Sequence, residues 1–201
     1  MNGKPCEYAI ARKVCPSSSQ TIRVKCVDDD DGLQQKQSKR HQMIEILDGL
    51  FVGSERDCRP GDDHWAVVHA CKSPCHQRAV GYTGSLPKSH PNYLVLEEGT
   101  DLYLNLVDPP IPLFMPESFE SFFRFARKQL DAGRNILIHC NQGESRAPSL
   151  ALLILAKLTG EISDDSYDAA RFDFESLFSD YRPGRGIQQY LREHWRDFDS
   201  Y

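Results

Sequence analysis

No apolar stretch in this sequence is long enough to cross a bilayer. The longest uninterrupted run, Leu150 to Ala156, falls far short of the roughly 20 residues a spanning helix needs. The opening residues, Met1 to Glu7, contain no apolar segment of the kind a secretory signal carries, and position two is asparagine, so neither secretion nor myristoylation is expected. An excess of positive charge is missing as well. Lys and Arg number 24 against 29 Asp and Glu, a net charge of −5, which argues against holding nucleic acid by bulk electrostatics. Paired CxxC spacing is absent from the seven cysteines (6, 15, 26, 58, 71, 75 and 140), so a disulfide frame is not indicated. These absences leave the expectation of a cytoplasmic protein with no membrane partner, in which any anionic ligand is caught locally.

What is present suffices for a folded core. Of 201 residues, 40% are hydrophobic and 26% charged, which fits one domain with an extension. Residues 1–40 read as the extension: two possible short strands, Tyr8–Val14 and Thr21–Val27, then the acidic run Asp28–Asp31 and a polar linker. Residues 41–201 read as the folded domain. Met43–Leu47 and Leu50–Gly53 flank an Asp48-Gly49 turn and spell a hairpin. Trp65–Ala70 and Leu102–Val107 read as strands, separated by a Pro-, Gly- and His-rich insertion over 71–100 that is long enough to be a recognition loop. Ile136-Leu137-Ile138 is apolar throughout, the mark of a strand buried on both faces.

Helical periodicity dominates the rest. Phe119, Phe122, Phe123, Ala126 and Leu130 share one face ahead of Gly133, and Leu150–Leu158 forms an apolar helix after Pro148. Ser163 is expected to cap a helix that turns Tyr167, Ala170, Phe174 and Leu177 inward; a last helix over Gly186–Phe198 turns in Ile187, Tyr190, Leu191 and Trp195. Strands alternating with helices predict an α/β fold, a central and mostly parallel sheet flanked by helices.

The chemistry concentrates between the buried strand and the apolar helix. His139-Cys140-Asn141-Gln142-Gly143-Glu144-Ser145-Arg146 lies where a strand ends and a helix begins, the place where open α/β sheets bind ligands. A compact loop feeding a helix N-terminus turns successive N–H groups to one point, so Asn141 to Ser145 are candidates to cradle a phosphate, with Gly143 allowing the tight turn. Arg146 adds a planar fork suited to two phosphate oxygens. A thiol in such a field, Cys140, is favoured as the thiolate nucleophile. Cys6 and Arg12 have the same spacing, but no buried strand precedes them, no glycine lies between them and no helix start follows. A leaving alkoxide or phenoxide needs a proton from a positioned acid. Asp108, ending a predicted strand in a proline-stiffened loop, is the candidate, with Asp101 and Glu117 as substitutes.

These features carry a resemblance. Residues 42–195 resemble the cysteine-dependent dual-specificity protein phosphatases, whose signature His-Cys-x-x-Gly-x-x-Arg is matched by 139–146; the Leu50-Phe51-Val52-Gly53 hairpin, the Asp108 loop and Arg182-Pro183 fall in the family's order. The resemblance implies hydrolysis of phosphotyrosine, and of phosphoserine or phosphothreonine, in phosphoprotein substrates. It implies a phosphocysteine on Cys140, Asp108 as acid and then base, and neither metal nor cofactor. The Trp-Pro-Asp loop and Lys-Asn-Arg-Tyr motif of the large tyrosine-specific class are absent. In the family a Ser or Thr usually follows the arginine, where its hydroxyl helps the thiolate leave; here it is Ala147, as in the slow phosphatases of regenerating liver. Slow phosphoenzyme hydrolysis is therefore expected. Three alternatives stay open: a non-protein phosphate (a phosphoinositide or an RNA 5′-phosphate), a module that binds phosphate without turnover, and a sulfurtransferase.

Other residues have plainer readings. His139 is expected to orient the loop by hydrogen bonds. Cys71 is a possible redox partner for Cys140 by a disulfide from sulfenic acid. His64, His69, Cys71, Cys75 and His76 lack the closed pair spacing of a zinc site and read as strand-end packing, so no metal is expected. Lys72 and His76 read as solvated loop residues, Glu144 as facing solvent, and Arg182 and Arg185 as candidates to ring the pocket with charge.

Overall fold

Asp48 and Gly49 turn the chain as their residue types require: Gly49 sits at φ +75°, joining β1 (Ile44–Leu47) to β2 (Leu50–Gly53) in an antiparallel pair. The computed structural model describes residues 43–201. The strands and linker expected within 1–40 lie outside the described residues.

Four further strands complete one sheet: β3 (Trp65–His69), β4 (Val95–Glu98), β5 (Asp101–Leu104) and β6 (Asn135–His139). Their order is β1-β2-β6-β3-β5-β4. The four inner strands run parallel, and β1 and β4 pair antiparallel at the two edges. The mostly parallel sheet expected from the sequence is thus present, and Ile136, Leu137 and Ile138 are fully buried. One element differs. The insertion over 71–100 is not all loop, because its last residues form β4, which returns through Gly99 to pair with β5.

Alternation along the strands divides the core. Leu50, Val52, Ala66, Val68, Leu102, Leu104, Ile136 and Ile138 join one apolar cluster with the helices α2 (Pro116–Asp131), α3 (Arg146–Leu153), α4 (Tyr167–Leu177) and α5 (Arg185–Glu193). The short α1 (Gln77–Val80) follows β3. Pro116 opens α2 at a position where no N–H is needed, and Phe119, Phe122, Phe123 and Ala126 are buried along it. All eight residues of α3 are buried, and its continuation through Thr159 ends at Gly160, φ +68°. Ser166, not Ser163, caps α4, its side chain accepting from the Ala169 N–H at 3.2 Å; Ser163 instead donates its own N–H to Asp173. The last helix stops at Glu193, earlier than its periodicity predicted, though Ile187, Tyr190, Leu191 and Trp195 are buried as expected.

The opposite face of the sheet carries the alternate residues: Phe51, Trp65, Val67, His69, Asp101, Tyr103, Leu137 and His139. Segments near 58–62 and 72–76 cover it. Arg59 lies over the Trp65 ring, the Gly61 N–H reaches Asp101, and Cys75 approaches His139. Among the described residues no helix is long and apolar enough to cross a membrane.

Candidate active site

The loop from Cys140 to Ser145 joins the carboxyl end of β6 to the start of α3, as its sequence implied. Neighbouring backbone shapes it. The Cys140 N–H donates to the Gly53 carbonyl at 3.3 Å, Glu55 N–H to the Asn141 carbonyl at 3.2 Å, and Arg182 N–H to the Glu144 carbonyl at 2.7 Å. Gly143 sits at φ +79°, and a Cβ there would lie 2.9 Å from the Gly53 carbonyl oxygen, so both conformation and space demand glycine. Its N–H points to sulfur, 3.3 Å from Cys140 Sγ. Cys140 itself is 1% exposed, at the floor of the loop. Ser145 stands at the N-cap of α3 but turns its Oγ to the Gly184 N–H at 2.8 Å, leaving the helix start without a side-chain cap.

Arg146 is fixed by three bonds. Its Nη1 donates to the carbonyls of Leu106 at 2.9 Å and Ala70 at 3.2 Å, the ends of two neighbouring strands; its Nη2 donates to Asn141 Oδ1 at 2.7 Å. Nε is buried without a partner among the described residues. Asn141 in turn donates to the Ser73 carbonyl at 2.9 Å, so the loop, the arginine and the segment after β3 form one network. Gln142 is exposed, and the half-buried Glu144 makes no ion pair among the described residues.

Asp108 is exposed in the loop after β5, its carboxylate without a hydrogen bond among the described residues. It packs closely on Gly184: a Cβ on that glycine would lie 2.1 Å from Asp108 Oδ1. Gly184 therefore touches both Asp108 and Ser145, and this contact brings the acid candidate to the rim of the cradle. Asp101 is excluded as its substitute, because its carboxylate is on the opposite face, 2.9 Å from His69 Nε2 and 3.0 Å from the Gly61 N–H. Glu117, in the first turn of α2, lines a groove of about 730 Å³ with Lys72, Lys88, Tyr93, Val107 and Leu113, between the 71–100 segment and the Asp108 loop.

Other expectations need correction. The His139 ring does not reach into the loop; Nε2 lies 2.7 Å from His69 Nδ1 on the adjacent strand, while Nδ1 is buried without a partner among the described residues. His139 anchors the root of the loop. His76 is fully buried rather than solvated, its Nδ1 3.1 Å from the Tyr82 hydroxyl, and burial lowers its pKa. Arg182 does not ring the pocket, since its guanidinium caps the carbonyls of Ser179 and Tyr181. Cys71 is buried and its thiol is free; hydrogen bonding with the Cys75 side chain lowers it to about 6 against the opposing effect of burial. No hydrogen bond joins Cys71 to Cys140 among the described residues.

The residues that sequence reasoning did not assemble are Cys58, His69, Cys75 and His139, whose ligand atoms lie within 4.8 Å of one another. Of the histidine–cysteine set considered from sequence, only His69 and Cys75 belong to it. Cys58 is lowered far below the ordinary thiol range by hydrogen bonds to Cys75, His139 and His69, and the same contact with Cys58 pushes Cys75 up. Burial lowers the His69 pKa, but bonds to Asp101 and Cys58 outweigh it and raise it overall.

Comparison with known proteins bears on the fold. Residues 114–177 match the family model described as the Rit1 DUSP-like domain. No curated protein matches the chain. Among solved structures, the human tyrosine phosphatase-like serine/threonine/tyrosine-interacting protein superposes with a TM-score of 0.56 at 18% identity, over 79% of this chain and 99% of that one. Human DUSP28 gives 0.52 at 16% identity over 77% and 93%, and PTPMT1 in complex with PI(5)P gives 0.53 at 14% over 79% and 97%. The chain has the fold of the dual-specificity phosphatases, and its residues 114–177 are similar to a dual-specificity-phosphatase-like domain.

Proposed function

We propose that this chain is a cysteine-dependent phosphatase that hydrolyses phosphotyrosine in proteins, and phosphoserine or phosphothreonine as well, through a phosphocysteine intermediate. The observation that carries the reading is the convergence at Cys140: an N–H at 3.3 Å from sulfur, an uncapped helix start, and an arginine held by main-chain carbonyls with Nε unpartnered. A phosphate dianion supplies acceptors for all of these donors at once.

In the first step the Cys140 thiolate attacks phosphorus while the bond to the leaving oxygen breaks, and Asp108, protonated, gives its proton to that oxygen. In the second, water attacks the phosphocysteine, Asp108 takes its proton, and the sulfur leaves as thiolate with inorganic phosphate released. Arg146 and the loop N–H groups hold the equatorial oxygens throughout, so the charge that develops meets donors already in place. Ala147 places a methyl group, fully buried, where a hydroxyl would assist the departing sulfur, and the Ser149 hydroxyl is engaged with Tyr181 at 2.9 Å. The second step is therefore the slow one.

A phosphoinositide headgroup is the second reading. Lys72 and Lys88 line the groove beside the Asp108 loop, and the similar fold of PTPMT1 was solved with PI(5)P. The test is hydrolysis of an aryl phosphate, then of phosphotyrosine peptides against PI(5)P vesicles. Vanadate-sensitive turnover that disappears in Cys140→Ser and falls roughly 10²–10⁴-fold in Asp108→Asn supports the mechanism. Phosphate binding with no turnover by the parent chain would make it a binding module instead.

A further inference from the structure

We propose that Cys58, His69, Cys75 and His139 form a closed tetrahedral site for one zinc ion, which fastens the polar cover of the sheet to the root of the phosphate loop. The inference does not rest on the phosphatase reading; it rests on the second face of the sheet.

Two of the ligands are set by register. His69 and His139 end adjacent parallel strands and are direct partners across β3 and β6, so their side chains emerge on the same face. Cys58 arrives from the segment before β3 and Cys75 from the turn after it. The separations are 3.6 Å between the two sulfurs, 3.7 Å from Cys58 Sγ to His69 Nδ1, 4.0 Å from Cys75 Sγ to His139 Nε2, and 2.7 Å between the two nitrogens. Zinc–sulfur and zinc–nitrogen bonds of ordinary length on a tetrahedron would put these donors roughly 3.3–3.8 Å apart. The distances involving sulfur are close to that range. The nitrogens must separate by about 0.6 Å, which the side-chain torsions of two histidines provide.

The donor set suits this ion. Three of the four ligands are buried and Cys58 closes the site from its exposed side; two thiolates neutralise Zn²⁺, and two imidazoles complete four coordination with no open position, the form of a structural site. A surrounding shell is also built. The Asp101 carboxylate accepts from His69 Nε2 at 2.9 Å and from the Gly61 N–H at 3.0 Å, which fixes the tautomer that turns the Nδ1 lone pair inward. Tyr103 stacks on the same imidazole at 4.3 Å.

Hydrogen bonding alone accounts for the pair of histidines but not for the two thiols beside them, which are weak donors and weak acceptors. The cover needs something stronger. Residues 54–64 read Ser-Glu-Arg-Asp-Cys-Arg-Pro-Gly-Asp-Asp-His, so Cys58 and the Pro60 ring are its least polar groups, yet this segment covers one face of a strand pair buried in all but its first residues. A metal bond supplies the fastening that apolar burial does not. Because His139 directly precedes Cys140, the same ion fixes the strand end from which the nucleophile loop departs.

The test is metal content of the full chain, read without any activity assay. Elemental mass spectrometry of chain equilibrated with zinc is expected to give one zinc per chain, and cobalt substitution to give the intense d–d bands of a tetrahedral ion with thiolate-to-metal charge transfer. Cys58→Ser and Cys75→Ser should lose both signals, whereas Cys71→Ser, one side chain away but outside the set, should keep them. Should Cys58→Ser unfold, the parent chain still decides: stripping the metal must make thiols at Cys58 and Cys75 reactive to alkylation that were protected before. Less than one zinc per chain at saturating zinc, or a Cys58→Ser chain with an unaltered charge-transfer band, overturns the proposal. Cys140→Ser should hold its zinc, so failure of the phosphatase reading and failure of this site are told apart.

Discussion

His69 Nδ1 and His139 Nε2 lie 2.7 Å apart at the ends of neighbouring parallel strands, so the residue next to the nucleophile is tied to a carboxylate, Asp101, on a third strand. Asp101 thus acts on the loop through two imidazoles. Replacing it with asparagine leaves the shape and removes the charge that orients His69. Asp101→Asn is expected to weaken zinc binding roughly 10–100-fold, measured by competition with a chromophoric chelator. Unchanged affinity would remove Asp101 from the site.

Gly184 separates the acid candidate from the loop it serves. An alanine Cβ at that position would overlap Asp108 Oδ1, so Gly184→Ala must displace the carboxylate. Turnover is expected to fall roughly tenfold or more on phenyl phosphate, whose leaving oxygen needs a proton, and much less on a nitro-activated aryl phosphate, whose leaving oxygen does not. Equal losses on both substrates would mean that Asp108 is not the acid.

In the proposed mechanism the missing hydroxyl after Arg146 makes the second step the slow one. The parent chain is expected to release its first equivalent of phenol in a burst and then to turn over slowly. Ala147→Ser should raise the steady-state rate several-fold and reduce the burst, because Ala147 is fully buried in the first turn of α3 beside the loop. Rapid-quench kinetics on both chains give the answer, and a parent chain without a burst would refute a slow second step.

A buried hydroxyl chain predicts behaviour at high pH. Tyr181 Oη lies 2.9 Å from Ser149 Oγ and 3.2 Å from Tyr167 Oη. Burial holds the Tyr181 pKa well above the ordinary 10.0, with the neighbouring Tyr167 acting in the same direction. The folded state thus favours the neutral phenol. Stability from this source is complete below the unfolded value and is lost as pH rises through 10 toward the folded value. Tyr181→Phe should cost about 1–2 kcal/mol at neutral pH, through the hydroxyls left unpaired, and flatten the decline above pH 10 in thermal melts. A parallel decline in both chains would place the alkaline weakness elsewhere.

The sequence alone settled whatever is local. Eight contiguous residues name the turn glycine and the candidate nucleophile and clamp, because a phosphate cradle is made of consecutive N–H groups at a strand end. The all-apolar 136–138 segment declared its burial, and Asp48-Gly49 its turn. Local competition produced the smaller errors. Two serines three positions apart, Ser163 and Ser166, offer the same cap, and only packing of α4 selects the second. Val95–Glu98 becomes a strand because β5 offers it an edge, a partner that a Pro- and Gly-rich stretch does not announce.

The two-cysteine, two-histidine cluster shows where legibility ends. Its members come from four segments, and the motif already accounted for His139, so no spacing rule joined it to Cys58. Parallel register between β3 and β6 brings residues 69 and 139 into contact, and register is a property of the assembled sheet. The one-dimensional order determined which groups this chain gathers in the loop proposed for phosphate chemistry; the fold alone determined which thiols and imidazoles meet behind it, since contacts across strands depend on how distant segments close their shared core.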